Sequence, residues 1–222
     1  ISACLVGSEM CIRDRAWFDS YWQALKPYLV AAQQEGAEQF SIGSEYEQLQ
    51  QAPSFLWQQL LTRTRQVFSG SILYCLNWTS LSRPIPSWMR DGRLNAIGVS
   101  AYVPLTSTPQ RLNINQLPAL WKNTVGQKLD SFAQRLGKPI LLSELGYRDA
   151  AFAGYEPWAI QVKEPRDDVE QAALFDAAMR NIVSDTHIIG VFVWAWSFPP
   201  FAPNGKLAAQ ILYRWYTALR KT

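Results

Sequence analysis

The chain has 222 residues, 48% hydrophobic and 18% charged, which is enough to bury one core of ordinary globular composition. A net charge of +3 supplies no basic face for nucleic acid, and no apolar run reaches the roughly 18 residues that would cross a bilayer. One histidine, His187, and three cysteines, Cys4, Cys11 and Cys75, match no zinc-ligand spacing and make no disulfide framework, so no metal and no other cofactor is expected. His187 reads as a structural or surface residue and Cys75, inside an apolar run, as a small buried one.

The N-terminal residues stand apart. Residues 2–15 read SACLVGSEMCIRDR, which closely resembles translated sequencing-adapter read-through. Residues 1–15 are therefore set aside as a non-native segment, and 16–222 are read as the domain. From there helical and strand periods alternate. Residues 19–34 space their apolar side chains as a helix, with Pro27 inside it and Gly36 as its stop; residues 39–44 then read as a strand. Ser54 is placed to cap a helix running to about Phe68, with Phe55, Leu56, Leu60, Leu61, Val67 and Phe68 as its buried stripe. Gly70 stops it, and residues 72–77 form the next strand. A turn is expected near 86–92, and a third strand over 94–102. Residues 117–136 predict one long amphipathic helix, ended by Gly137 and Pro139, with a fourth strand over 139–143. The loop 146–165 is long enough to suggest function or disorder. Residues 166–184 read as a helix whose first turn holds Asp167, Asp168 and Glu170, as the helix dipole favours. A fifth strand, 188–196, and a last helix from Leu207 to about Arg220 complete the chain.

Near-continuous apolar strands between amphipathic helices mean a parallel sheet covered by helices, hence an α/β fold. An open doubly wound sheet and a (β/α)8 TIM barrel both fit. No glycine-rich nucleotide loop follows any strand, which weakens the first. Polar and aromatic residues collect at strand C-terminal ends: Glu45, Asn77 with Trp78, Tyr102, Glu144, and Trp194 to Trp196. In a barrel those ends form the active face.

The two glutamates are the sharpest of these. Glu45 ends FSIGSE and Glu144 ends PILLSE, each at the close of an apolar run. A single glutamate at such a place is more often a helix cap or an ion-pair partner. Two at corresponding strand ends suggest the acid and the nucleophile of a glycosidase. Indoles at strand ends add to this, because sugar rings stack their C–H faces on them.

The segments IGSEY, LNW, IGVSAY, KPILLSELGY and FVWAW occur in the order expected of clan A glycoside hydrolases, and the chain most resembles glycoside hydrolase family 113. That resemblance spans nearly all of residues 17–220. It implies a retaining hydrolase of β-1,4-linked polysaccharide, most naturally mannan, with Glu45 as acid/base on strand four and Glu144 as nucleophile on strand seven. Retention needs the two carboxyl groups roughly 5–5.5 Å apart. Partial burial and the second carboxylate would raise the acid's pKa. Tyr102 would hydrogen-bond Glu144 and Trp196 would floor the sugar subsite, with Asn77, Trp78, Tyr147 and Trp194 as further contacts. Many clan members place Asn directly before the acid/base; here that residue is Ser44. Glu47 is read as non-catalytic, and Arg148 and Asp149 as loop ion-pair residues. The fold implied is an incomplete (β/α)8 TIM barrel, strands four to eight with their helices, lacking strands one to three. Strand edges left unpaired would favour self-association. The alternatives are a non-catalytic polysaccharide-binding remnant and an inactive fragment.

Overall fold

The computed structural model describes residues 8–219, with side chains from residue 12 onward. Cys4, the Cys11 side chain and Arg220 lie outside the described residues. The fold is α/β. Strands β1 (Gln39–Ser44), β2 (Ser71–Asn77), β3 (Ala96–Ser100), β4 (Ile140–Leu145) and β5 (Ile188–Val193) follow chain order in the sheet. β1 pairs parallel to β2, and β4 parallel to β5. The helices are α1 (Ser8–Gln34), α2 (Ser54–Arg65), α3 (Leu117–Trp121), α4 (Gln127–Leu136), α5 (Asp168–Ile182) and α6 (Leu207–Leu219). No helix among the described residues is long and apolar enough to cross a membrane. The chain divides into two compact units, residues 1–98 with 135–138, and residues 99–134 with 139–222.

In the first unit, α1 extends the expected helix back to Ser8, so residues 8–15 form its opening turns. Arg15 lies over the Phe55 ring at 5.8 Å, and Asp19 pairs with Arg63 at 2.9 Å. Gly36 ends α1 at a φ of +70°, where the Ala37 N–H donates to the Ala32 carbonyl and the Gly36 N–H to that of Gln33. This left-handed closure is one that glycine adopts without steric cost. α2 differs from expectation at both ends. Its cap is Pro53, while the Ser54 hydroxyl bonds that of Ser87 at 2.8 Å. It stops at Arg65, whose guanidinium takes the carbonyls of Gly70 and Arg93.

The buried stripe of α2 is centred on Trp57, with Phe55 and Val67 only half-buried. Trp57 stacks on Trp88 with ring centroids 4.2 Å apart, and Tyr74 of β2 meets both rings edge-on. Both indole N–H groups are satisfied inside the core, by the carbonyls of Leu49 and Gln50. Large rings with internal partners bury much apolar area without a polar penalty. Cys75 is buried as expected, its sulfur 3.4 Å from the Ser41 hydroxyl.

In the second unit the single long helix expected over 117–136 is α3 and α4 joined by a π-helical turn, Lys122–Gly126. Thr124 donates its hydroxyl back to the Leu120 carbonyl at 2.8 Å. The wider turn keeps Trp121, Val125 and Leu129 all buried. α5 begins where its acidic residues predict, with the Asp167 carboxylate accepting the Glu170 N–H at 2.9 Å. β4 runs two residues past its expected end, and β5 stops at Val193, so Trp194 and Trp196 lie beyond the strand.

Trp57→Ala is expected to destabilise the protein by about 3–5 kcal/mol, because the void lies between rings that cannot collapse onto it. Urea unfolding followed by far-UV circular dichroism checks this. A loss below about 1 kcal/mol would show that the Trp57–Trp88–Tyr74 cluster is not a core.

Candidate active site

Glu45 follows β1 directly, and its N–H donates to the Cys75 carbonyl of β2 at 2.9 Å. Its φ is +56°, a left-handed conformation that costs a residue bearing a Cβ roughly 1–2 kcal/mol. The reversal leaves the side chain exposed rather than part-buried as expected. Asn77, the last residue of β2, donates Nδ2 to Glu45 Oε2 at 3.3 Å. Its Oδ1 accepts the Thr79 N–H at 3.1 Å, which fixes the end of the amide that faces Glu45. Thr79 Oγ1 also lies 2.9 Å from Glu47 Oε1, and Arg83 pairs with the other Glu47 oxygen at 3.4 Å. Glu47 is thus occupied in holding this loop. Trp78 is half-buried at the start of the short 3₁₀ turn Trp78–Ser82.

In the second unit Glu144 lies inside β4, one residue before the strand end. Its carbonyl accepts the Ala101 N–H at 2.8 Å, and the next carbonyl, that of Leu145, accepts the Trp194 N–H at 3.0 Å. The carboxylate is half-buried, and Tyr102 Oη donates to its Oε2 at 3.0 Å. Tyr102 is itself buried, edge-on to Phe201. Gly146 is required here by close approach, since a Cβ would stand 2.2 Å from the Trp194 carbonyl oxygen. The Trp194 ring packs against Phe198 and Phe201, and the Trp194–Ala195 peptide is cis. Trp196 is 49% exposed.

One expected contact is corrected. Tyr147 is 2% exposed, its hydroxyl accepts the Trp121 indole N–H at 2.9 Å, and its ring meets Phe175 edge-on. Burial pushes its phenol well above the usual range. Tyr147 is therefore a core residue and has no face left for substrate. Arg148 and Asp149 form ion pairs as expected, with Glu164 at 3.3 Å and Lys206 at 2.8 Å, although Arg148 is buried.

The sequence model of Glycoside Hydrolase Family 113 matches residues 8–216. The chain belongs to this family. Among solved structures it is similar to a GH113 beta-1,4-mannanase at 19% identity and a TM-score of 0.74, covering 91% of this chain and 63% of that one. The GH113 beta-mannanase of Alicyclobacillus acidocaldarius, solved in complex with ManMIm, is similar at 21% identity and a TM-score of 0.72, covering 92% and 63%. A beta-glucuronidase from Ruminococcus gnavus shares the fold at 12% identity and a TM-score of 0.62, over 89% of this chain and 36% of that one. The family 113 chain thus spans about 63% of the length of the mannanases it matches. No curated protein matches it.

The sequence reading misses two features of this family 113 chain. Thr79 orients Asn77, and the signal for it is the Asn-x-Thr spacing at a strand end, which suits a side chain bonding its own backbone two residues on. Trp17 and Tyr21 of α1 stack at 4.7 Å, and both meet edge-on the ring of Tyr46, the neighbour of Glu45. Their helical spacing marks them only as one face of α1.

Glu45→Asn is expected to raise stability by roughly 1 kcal/mol, since Asn tolerates the left-handed region and the exposed glutamate loses little packing. The shift in the urea midpoint measures it. A destabilised variant would mean that the Asn77 contact outweighs the strain at φ +56°.

Proposed function

We propose that this family 113 chain carries the catalytic pair of a retaining hydrolase of β-1,4-linked mannan. Glu144 is the nucleophile and Glu45 the general acid/base. The observation that carries the reading is the Tyr102 hydrogen bond to Glu144, at the C-terminal end of β4 in a glycoside hydrolase sequence. A phenol donor favours the charged form of a carboxylate, and a nucleophile must be charged. Asn77 plays a different part, donating to Glu45 so that one oxygen is held while the other is left for the glycosidic oxygen.

In this reading Glu144 attacks the anomeric carbon while the Glu45 proton passes to the departing oxygen. The glycosyl–Glu144 ester then yields to water, whose proton Glu45 takes back. Trp196 supplies the platform beneath the reacting sugar, with Trp194 and Trp78 as further substrate contacts. Mannan is preferred over other β-glycans because the matched family 113 structures are described as mannanases. The five strands correspond in this reading to strands four to eight of a (β/α)8 barrel, and three more complete it. The 63% coverage of the matched mannanases and the strand order support that assignment.

The expected activity is release of reducing ends from β-mannan, by the chain alone or joined to the first three strand–helix units of a family 113 mannanase. Glu144→Gln is expected to abolish it, and Glu45→Gln to lower it by about 10²–10⁴-fold. A 2-deoxy-2-fluoromannosyl fluoride is expected to leave a covalent adduct on the peptide containing Glu144, read by mass spectrometry. Activity unchanged in Glu144→Gln, or an adduct elsewhere, would give the nucleophile's role to another residue. No release from mannan, glucan or xylan by the completed barrel would end the enzyme reading.

β5 presents Ile189 and Phe192, more than half exposed, at the end of the sheet order. The chain alone is therefore expected to self-associate, since exposed apolar edges template pairing. Light scattering coupled to size-exclusion chromatography measures this, and a monodisperse monomer with a sharp thermal transition would contradict it.

A further inference from the structure

Asp130 of α4, Asp185 in the turn after α5, and His187 at the entry to β5 bring three ligand-type side chains together in the second unit. His187 Nδ1 lies 3.1 Å from Asp130 Oδ1 and 3.5 Å from Asp185 Oδ1. All the candidate ligand atoms fall within 4.8 Å of one another, and this is the only such His, Cys, Asp and Glu grouping among the described residues. We propose that Asp130, Asp185 and His187 form a divalent transition-metal site of the zinc type, apart from the carboxylates assigned to glycoside cleavage.

The geometry suits such an ion. Zinc bonds of about 2.0–2.2 Å hold tetrahedral ligand atoms roughly 3.3–3.6 Å apart. The two nitrogen–oxygen distances bracket the lower part of that range, so a small movement opens room for an ion at their centre. One imidazole nitrogen with two carboxylate oxygens is a mixed donor set that suits zinc better than the all-oxygen shells of calcium or magnesium. The fourth position would go to water.

The ligands are also positioned by independent backbone contacts. Asp185 Oδ1 accepts the His187 N–H at 2.8 Å, which orients that carboxylate toward the ring. The His187 carbonyl accepts the Ile140 N–H at 2.8 Å, tying the histidine to β4. Asp130 arrives from a helix whose Leu129 and Phe132 are buried on either side of it. Such outer contacts fix the ligand geometry before any ion arrives.

Isothermal titration of the full 222-residue chain with zinc chloride, in a buffer that does not coordinate metal, tests the site. The expected result is saturation at one Zn²⁺ per chain, with affinity reduced at least about 10-fold in both His187→Ala and Asp130→Asn. Calcium and magnesium are expected to bind far more weakly. The Asp130→Asn change is isosteric on a half-exposed helix position, so it reports on the site even where His187→Ala does not fold. Cobalt(II) gives a second readout, as a tetrahedral visible spectrum that each variant abolishes. Absence of saturable zinc binding, or binding that neither variant alters, overturns the proposal. Because neither readout uses hydrolysis, the result is independent of the proposed glycosidase activity.

Discussion

Parallel pairing is the constraint on which the rest depends. Two parallel neighbours cannot be joined by a hairpin, so the chain must cross back over a helix before the next strand begins. β1 and β2 therefore end on the same edge of the first unit, and β4 and β5 on the same edge of the second. Whatever follows a strand is delivered to that edge. Glu45 and Asn77 meet at one such pair of ends, while Glu144, Trp194 and Trp196 belong to the other. The helices between them need no residue at the site. They need only an apolar stripe, which α2 and α5 supply.

At these edges the backbone is held in uncommon conformations. Glu45 takes a positive φ although it has a Cβ, and Gly146 lets β4 approach the Trp194 carbonyl more closely than any side chain would permit. Each feature is anchored by strand hydrogen bonds, from Glu45 to Cys75 and from Trp194 to Leu145. Strain of about 1–2 kcal/mol persists only where surrounding contacts overdetermine the backbone. Here Tyr74 of β2 is locked against Trp57 and Trp88 and also accepts the N–H of Tyr46, the neighbour of Glu45, at 3.1 Å.

Much of the element order is legible in the sequence because apolar periods and glycine stops are local signals. β1 occupies the expected residues, and Gly36, Gly137 and Asp167 mark helix ends where expected. What escapes a local reading has non-local causes. Ser54 is a good cap by type, yet its hydroxyl is taken by Ser87, 33 positions on. β4 continues through Glu144 because its ladder partners, Ala101 and Trp194, reach that far. The π turn has no sequence mark that separates it from a regular helix. At the candidate site, Tyr102 bonds Glu144 as expected, whereas Tyr147 is buried. Its position directly after Glu-Leu-Gly looks like a strand-end contact, and only the Trp121 indole and the Phe175 ring show that it points inward.

The two proposed sites lie at opposite ends of β5. His187 precedes it and Trp194 follows it, so at about 3.3 Å per residue the two are separated by roughly 20 Å of extended backbone. Across that span a charge change at the Asp130–Asp185–His187 cluster is screened by more than two Debye lengths where solvent intervenes. The two ends can then be tuned separately. An ion at the start of β5 would stiffen the junction of α4, α5 and the strand and leave the aromatic end, the proposed sugar platform, untouched. Such separation is what a parallel α/β sheet makes available, since its two edges are joined by rigid strands and share no side chains.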